Sequence, residues 1–194
     1  MTKPEIFRPV SNLLLGFFVV LMAILFVLQA GVTGGLAEVV SSVFIAATAV
    51  AVSWLLFLRP RIIFNENTLE IINPLRTIVV GYEQITDLDT KYGLTVKVAD
   101  RKFSVWVAPA PSRYTSRGVN KQDVRGLGIE VAGTIRAADS PNSASGVAAY
   151  LLRTKMDGAE TSRTLELQVR FNSWGAAAAV VPFAAFVLAQ LLIH

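Results

Sequence analysis

The sequence predicts a membrane α+β protein, with two N-terminal transmembrane helices, a cytoplasmic antiparallel sheet joined by one helix, and one C-terminal transmembrane helix. Three observations lead there. Of the 194 residues, 53% are hydrophobic and only 16% charged, against about 25% charged in an ordinary soluble domain. Three apolar stretches, Leu13 to Ala30, Val39 to Leu58 and Trp174 to Ile193, each have about the 20 residues that a helix rising 1.5 Å per residue needs to cross the hydrocarbon core. Between the second and third, from Arg61 to Pro109, β-rich runs alternate with turn signals.

The first apolar run holds one polar side chain, Gln29 near its end. It exceeds the usual 7 to 15 residues of a signal-peptide core, so it reads as a spanning helix. Gly31 to Glu38 is long enough only for a tight connection, which makes the first two helices antiparallel neighbours. Lys3 and Arg8 precede the first helix, Arg59 and Arg61 follow the second, and Arg163 and Arg170 precede the third. The hairpin and the tail after Ile193 carry no Lys or Arg. All four flanks therefore agree on an inner (plasma) membrane protein with its N-terminus and central domain in the cytoplasm. The domains expected are 1–58, a transmembrane hairpin; 59–172, the cytoplasmic domain; and 173–194, the third helix.

Within the cytoplasmic domain, Ile62-Ile63-Phe64, Leu69-Glu70-Ile71-Ile72 and Thr77-Ile78-Val79-Val80 are strands separated by Asn65-Glu66-Asn67 and Asn73-Pro74. Leu94, Val96 and Val98, then Phe103, Val105 and Val107, alternate with more polar positions about Asp100-Arg101-Lys102, as in a hairpin with one apolar face. Ser143 to Met156 reads as a helix capped by Ser143 or Ser145, with Val147, Leu151 and Leu152 on its face and Gly158 past its end. Leu165, Leu167, Val169 and Phe171 form a last alternating strand, running almost directly into the third helix and holding the domain close to the membrane. Residues 109 to 144, broken by Pro and Gly, read as a long excursion from the sheet.

The order of strand, Asn-rich turn, strand ending in Asn73-Pro74-Leu75-Arg76-Thr77, then Tyr82-Glu83-Gln84-Ile85, then a hairpin closing in Ala108-Pro109, resembles the small pleckstrin-homology (PH) domains of actinobacterial membrane proteins. Asp139-Ser140-Pro141 leading into Ser145-Gly146-Val147-Ala148-Ala149 is similar to the segment after their sheet. The resemblance covers roughly residues 59 to 172. It implies a PH-like sheet with one helix and, more concretely, an accessory subunit of the respiratory cytochrome supercomplexes of that group.

Chemistry is narrowly bounded. There is no cysteine, and the single histidine is His194. Thiolate nucleophiles, Ser-His-Asp triads and His- or Cys-based metal sites cannot be assembled from these residues. Neither a P-loop nor a dinucleotide fingerprint occurs. Asp87 and Asp89, with Glu83 nearby, are the densest carboxylates and read as a solvated strand end rather than an acid-base or metal site. The expectation is a non-catalytic protein without cofactor, acting as an accessory or scaffolding subunit that contacts other integral membrane subunits. The alternative is a membrane-anchored module that binds anionic lipid headgroups or a cytoplasmic partner.

Three sets of contact residues follow. Arg113, Arg117, Lys121 and Arg125 recur every fourth residue, a basic segment suited to anionic lipids, although Gly118 and Gly126 disfavour a helix there. Trp106 lies on the strand face opposite Phe103, Val105 and Val107, against the bilayer, another helix or a partner, or within a second covered face of the sheet. Gly175 and Ala179, then Ala185 and Ala189, set small residues four apart in helix three, as Ser42 and Ala46 do in helix two. Such spacing lets helices approach closely, either within the chain or against another subunit. Trp54 and Trp174 sit where an amphipathic indole settles at headgroup level. The net charge of +4, without clustered aromatic and basic residues, gives no support for nucleic acid.

Overall fold

The computed structural model describes residues 4–110, 143–158 and 166–193. The chain forms two compact units. One comprises Met1–Pro9, Arg61–Asn73 and Thr77–Arg170; the other comprises Val10–Pro60, Pro74–Arg76 and Phe171–His194. The boundary after the second helix falls two residues later than expected. The first nine residues belong with the sheet rather than with the helices.

The sheet unit is built on strands β1 (Glu5–Phe7), β2 (Arg61–Phe64), β3 (Thr68–Ile72), β4 (Arg76–Gly81), β5 (Ile85–Asp89), β6 (Gly93–Val98), β7 (Arg101–Pro109) and β8 (Gln168–Phe171), with helix α3 (Ala144–Asp157). One sheet has the order β1-β2-β3-β4-β8 and the other β5-β6-β7. Pairing is antiparallel from β1 through β4 and from β5 through β7. The alternation read in the sequence sets which side chains go inside. Ile62, Phe64, Leu69, Ile71, Ile78 and Val80 from the first sheet meet Leu94, Val96, Val98, Val105 and Val107 from the second in one core. Each such side chain contributes about 1.5–3 kcal/mol on burial, so this interface of the two sheets is the main source of the unit's stability.

Helix α3 closes the core with the expected Leu152, and Leu151 packs against that core, but the stripe that is fully buried is shifted toward its small residues. Ala148, Ala149 and Leu152 are fully buried, as is Ser145, whereas Val147 and Leu151 are only half-buried. Small side chains let the helix lie close to the sheets, so the burying stripe is set by fit rather than by size. Its start is the expected one: the Ser143 hydroxyl accepts a hydrogen bond from the Gly146 N–H at 2.9 Å, satisfying an otherwise unpaired donor of the first turn. Strand β8 also differs from expectation. Leu167 packs against the core from outside the strand, while Val169 and Phe171 are exposed. Strand β1 was not anticipated at all, because Glu5-Ile6-Phe7 is too short to show a period.

The helix unit contains α1 (Val10–Thr33), α2 (Leu36–Ser53), which continues as a π-helical turn from Trp54 to Leu58, and α4 (Ser173–Ile193). Among the described residues, three helices are long and apolar enough to cross a membrane: Val10–Thr33, Leu36–Leu58 and Ser173–Leu191. Helix α2 packs on both α1 and α4. Helix α4 runs on through Pro182.

Candidate functional site

The helix unit is assembled by small residues receiving large ones. The π turn widens the end of α2, with the Arg59 N–H bonding the Trp54 carbonyl at 2.7 Å; such turns re-aim the side chains around them. Leu58 is aimed at Gly16 of α1, where an added Cβ would lie 2.7 Å from Leu58 Cγ. Leu55 is aimed at Gly175 of α4, where an added Cβ would lie 2.9 Å from Leu55 Cδ1. Two side-chain hydrogen bonds join the helices: Ser53 Oγ donates to the Gly16 carbonyl at 3.1 Å, and, near the other end of α2, Gln190 Nε2 donates to Ser41 Oγ at 2.9 Å. Interhelical bonds of this kind contribute about 0.6 kcal/mol on average in lipid.

Gly175 is buried and Ala179, Ala185 and Ala189 are half-buried, while Val180, Val181, Phe183 and Leu188 stand exposed. At Gly175 the space that a Cβ would take is held by the side chains of Asn172 and Leu55 of the same chain. Ser42 and Ala46 are likewise buried in α2. Between the helices lies an apolar cavity of about 450 Å³, lined by Val19, Ile45, Ala49, Phe57, Phe183 and Phe186.

Asn172 holds the start of α4. Its Oδ1 accepts from the Gly175 N–H at 3.2 Å, an N-cap, and its own N–H donates to the Leu75 carbonyl at 2.8 Å. The Pro74 carbonyl accepts from Arg59 Nη1 at 3.0 Å and from Asn172 Nδ2 at 3.4 Å. The turn between β3 and β4 is thereby tied to the ends of α2 and α4. Trp54 and Trp174 are both exposed on this unit, Trp174 at 86%.

In the sheet unit, Trp106 is 49% exposed on a strand whose neighbouring residues, Val105 and Val107, are buried. Its position is fixed from behind. The Trp106 N–H donates to Asn73 Oδ1 at 2.9 Å, and Asn73 Nδ2 donates to the Ser104 carbonyl at 2.7 Å. The Asn73 amide thus offers β7 the donor and acceptor that a neighbouring strand would, bridging the two sheets. Asn73 marked only a turn in the sequence; its spacing from Trp106 carried no signal. Asp87 and Asp89 are spent locally, accepting from the N–H groups of Leu88 at 2.8 Å and Lys91 at 2.9 Å. The basic set Arg113, Arg117, Lys121 and Arg125 lies outside the described residues. Compared with models of known protein families, with curated proteins and with solved structures, the chain matches none.

Proposed function

We propose that this chain is an integral membrane protein of the plasma membrane that carries its sheet unit on the cytoplasmic side and serves as a non-catalytic accessory or scaffolding subunit. The observation that carries the reading is the helix unit: three helices of membrane-crossing length whose exposed side chains, among them Phe17, Phe18, Leu21, Val181, Phe183 and Leu188, are apolar. Such a surface is at home in hydrocarbon and is far larger than a soluble monomer exposes. The arginines before α1 and after α2 favour the cytoplasmic side for the sheet unit. The PH-like reading is supported by two antiparallel sheets with a shared core and one closing helix. Its concrete version is a subunit of an actinobacterial respiratory supercomplex.

Purification of the tagged full chain in mild detergent tests the proposal. Recovery with integral membrane subunits in fixed stoichiometry is the expected result; recovery as a lone chain overturns the subunit reading and leaves the membrane-anchored lipid-binding module. Orientation is checked by single cysteines. Gly35→Cys, where an added Cβ meets nothing within 4 Å, should react with an impermeant thiol reagent in intact cells. Tyr92→Cys, at a position 85% exposed in the sheet unit, should react only after lysis.

A further inference from the structure

We propose that Arg8 and Arg61 together bind the phosphate of an anionic lipid headgroup. The inference rests on the membrane reading above for the source of the phosphate, and on the sheet itself for the site. Strands β1 and β2 pair with Glu5 opposite Phe64, Ile6 opposite Ile63 and Phe7 opposite Ile62. Continuing that register by one residue brings Arg8 opposite Arg61. Like charges directly opposite on neighbouring strands repel. Burial, with the Arg61 charge adding to it, pulls the Arg8 guanidinium below its ordinary pKa.

Among the described residues no carboxylate forms an ion pair with either arginine. Both Nε atoms are buried and without a hydrogen-bond partner among the described residues. Glu5 lies on the other face of β1 and is engaged by Lys155 Nζ at 2.8 Å. On the arginines' own face the nearest carboxylate in register is Glu70, opposite Ile63, and among the described residues it makes no ion pair with either. On its other side Arg61 faces Ile72, which is buried, so the sheet supplies no counter-charge there. Two guanidinium groups side by side, partly desolvated and uncompensated, are a poor arrangement for an empty protein and a good one for a tetrahedral oxyanion. Each planar fork offers parallel N–H donors to phosphate oxygens, and one anion would cancel the repulsion while satisfying the buried donors.

The chain's connectivity favours a lipid as the source. Arg8 stands two residues before Val10, where the 24-residue α1 begins, and Arg61 three residues after Leu58, where the second apolar span ends. Both are therefore tethered within a few residues of where those helices would leave the hydrocarbon, at headgroup level. Anionic headgroups attract basic side chains there, at about fivefold in affinity per charge.

The test uses the purified full chain in neutral detergent, titrated with phosphatidylglycerol, phosphatidylcholine or inorganic phosphate, with thermal unfolding followed by tryptophan fluorescence. Phosphatidylglycerol is expected to raise the unfolding midpoint of the wild type saturably, and phosphatidylcholine to do so much less. The half-saturating concentration should rise about fivefold in Arg8→Gln or Arg61→Gln, and the saturable shift should vanish in the double variant. Changing Arg101 and Lys102, both exposed, to Gln removes the same charge elsewhere on the unit and should leave the titration unchanged. Without lipid, Arg8→Gln should unfold no lower than the wild type, because it relieves repulsion. Should the double variant not fold, Arg8→Lys keeps the charge but loses the fork, and a weaker half-saturation still reports the site.

An unaltered phosphatidylglycerol shift in the double variant, or a lipid-free Arg8→Gln that unfolds well below the wild type, overturns the proposal. An equal shift from millimolar inorganic phosphate overturns the assignment to a lipid. Extraction of the protein from membranes by alkaline carbonate would instead sink the membrane reading, leaving any phosphate effect on the arginines to stand alone.

Discussion

Replacing Asn73 should loosen β7 at Trp106 selectively. The side chain makes two hydrogen bonds to the backbone of that strand, at 2.7 Å to the Ser104 carbonyl and 2.9 Å from the Trp106 N–H. A hydrogen bond contributes about 0.5–1.5 kcal/mol net. Both lie at an exposed position where water replaces a lost partner, so Asn73→Ala should cost about 1–2 kcal/mol rather than the full sum. That corresponds to roughly 5–30-fold in a local opening equilibrium. Amide exchange measured on the peptide carrying Trp106 should accelerate by that factor. Exchange in β6, paired to the other residues of β7, should change far less.

Asn73→Asp sharpens the test, because it keeps an acceptor for the Trp106 N–H and removes the donor to Ser104. At neutral pH a carboxylate would face a carbonyl oxygen and exchange should be at least as fast as in the Ala variant. Protonation restores a donor, so the folded state favours the neutral acid and raises the pKa of the new carboxyl above its unfolded value. Its contribution is then fully present below the unfolded pKa, about 3.9, and is lost as pH rises through the folded one. Unchanged exchange at Trp106 in Asn73→Ala would refute the reasoning, since the amide would then be held by something other than Asn73.

Other perturbations follow from single features. Ala99 has a φ of +50° in the two-residue turn between Val98 and Arg101, where glycine is favoured; Ala99→Gly should stabilise the sheet unit by about 0.5–1 kcal/mol, read as a higher denaturant midpoint. Tyr82 is pushed up to about 12 by burial, with Glu5 adding to it, and its hydroxyl donates to the Asn65 carbonyl at 2.9 Å. Its stabilising contribution is therefore complete below the unfolded pKa, about 10, and lost as pH rises toward 12; Tyr82→Phe should flatten the alkaline unfolding curve. Gly175→Leu should cost about 1–3 kcal/mol by overpacking against Asn172 and Leu55, measured as a lower yield of the engineered Ser41→Cys to Gln190→Cys disulfide. Asn172→Ala removes the cap of α4 and should cost about 1 kcal/mol, seen as faster exchange confined to the first turn of that helix.

The elements that were legible in the sequence share one property: their signal is a long run or a repeated period. The three spans, the strands β2 to β4 and the hairpin of β6 and β7 all carry it. What was missed turns on contact rather than pattern. The buried stripe of α3 was legible only at Leu152, because Val147 and Leu151 outweigh Ala148 and Ala149 in any hydrophobicity count, yet the alanines are the residues that fit. The four-residue spacings Gly175 to Ala179 and Ala185 to Ala189 announce close packing without naming the partner, and only the structure shows that a Cβ added at Gly175 would meet Asn172 and Leu55 of this chain. Arg8 and Arg61 lie 53 positions apart in the sequence, where each served as a topology marker. Their opposition exists only because Glu5-Ile6-Phe7, three residues with no detectable period, forms an edge strand on β2.

The dipeptide Asn73-Pro74 concentrates a further point. Asn73 belongs to the sheet unit and Pro74 to the helix unit, and each half makes its bonds within its own unit: the Asn73 side chain to β7, the Pro74 carbonyl to Arg59 and Asn172. Proline fixes its own φ and restricts the residue before it to extended backbone, so the backbone of this dipeptide has few alternatives. A turn of ordinary composition would link β3 to β4 as well. It would lack the Asn73 amide that bonds the Ser104 carbonyl and the Trp106 N–H of β7.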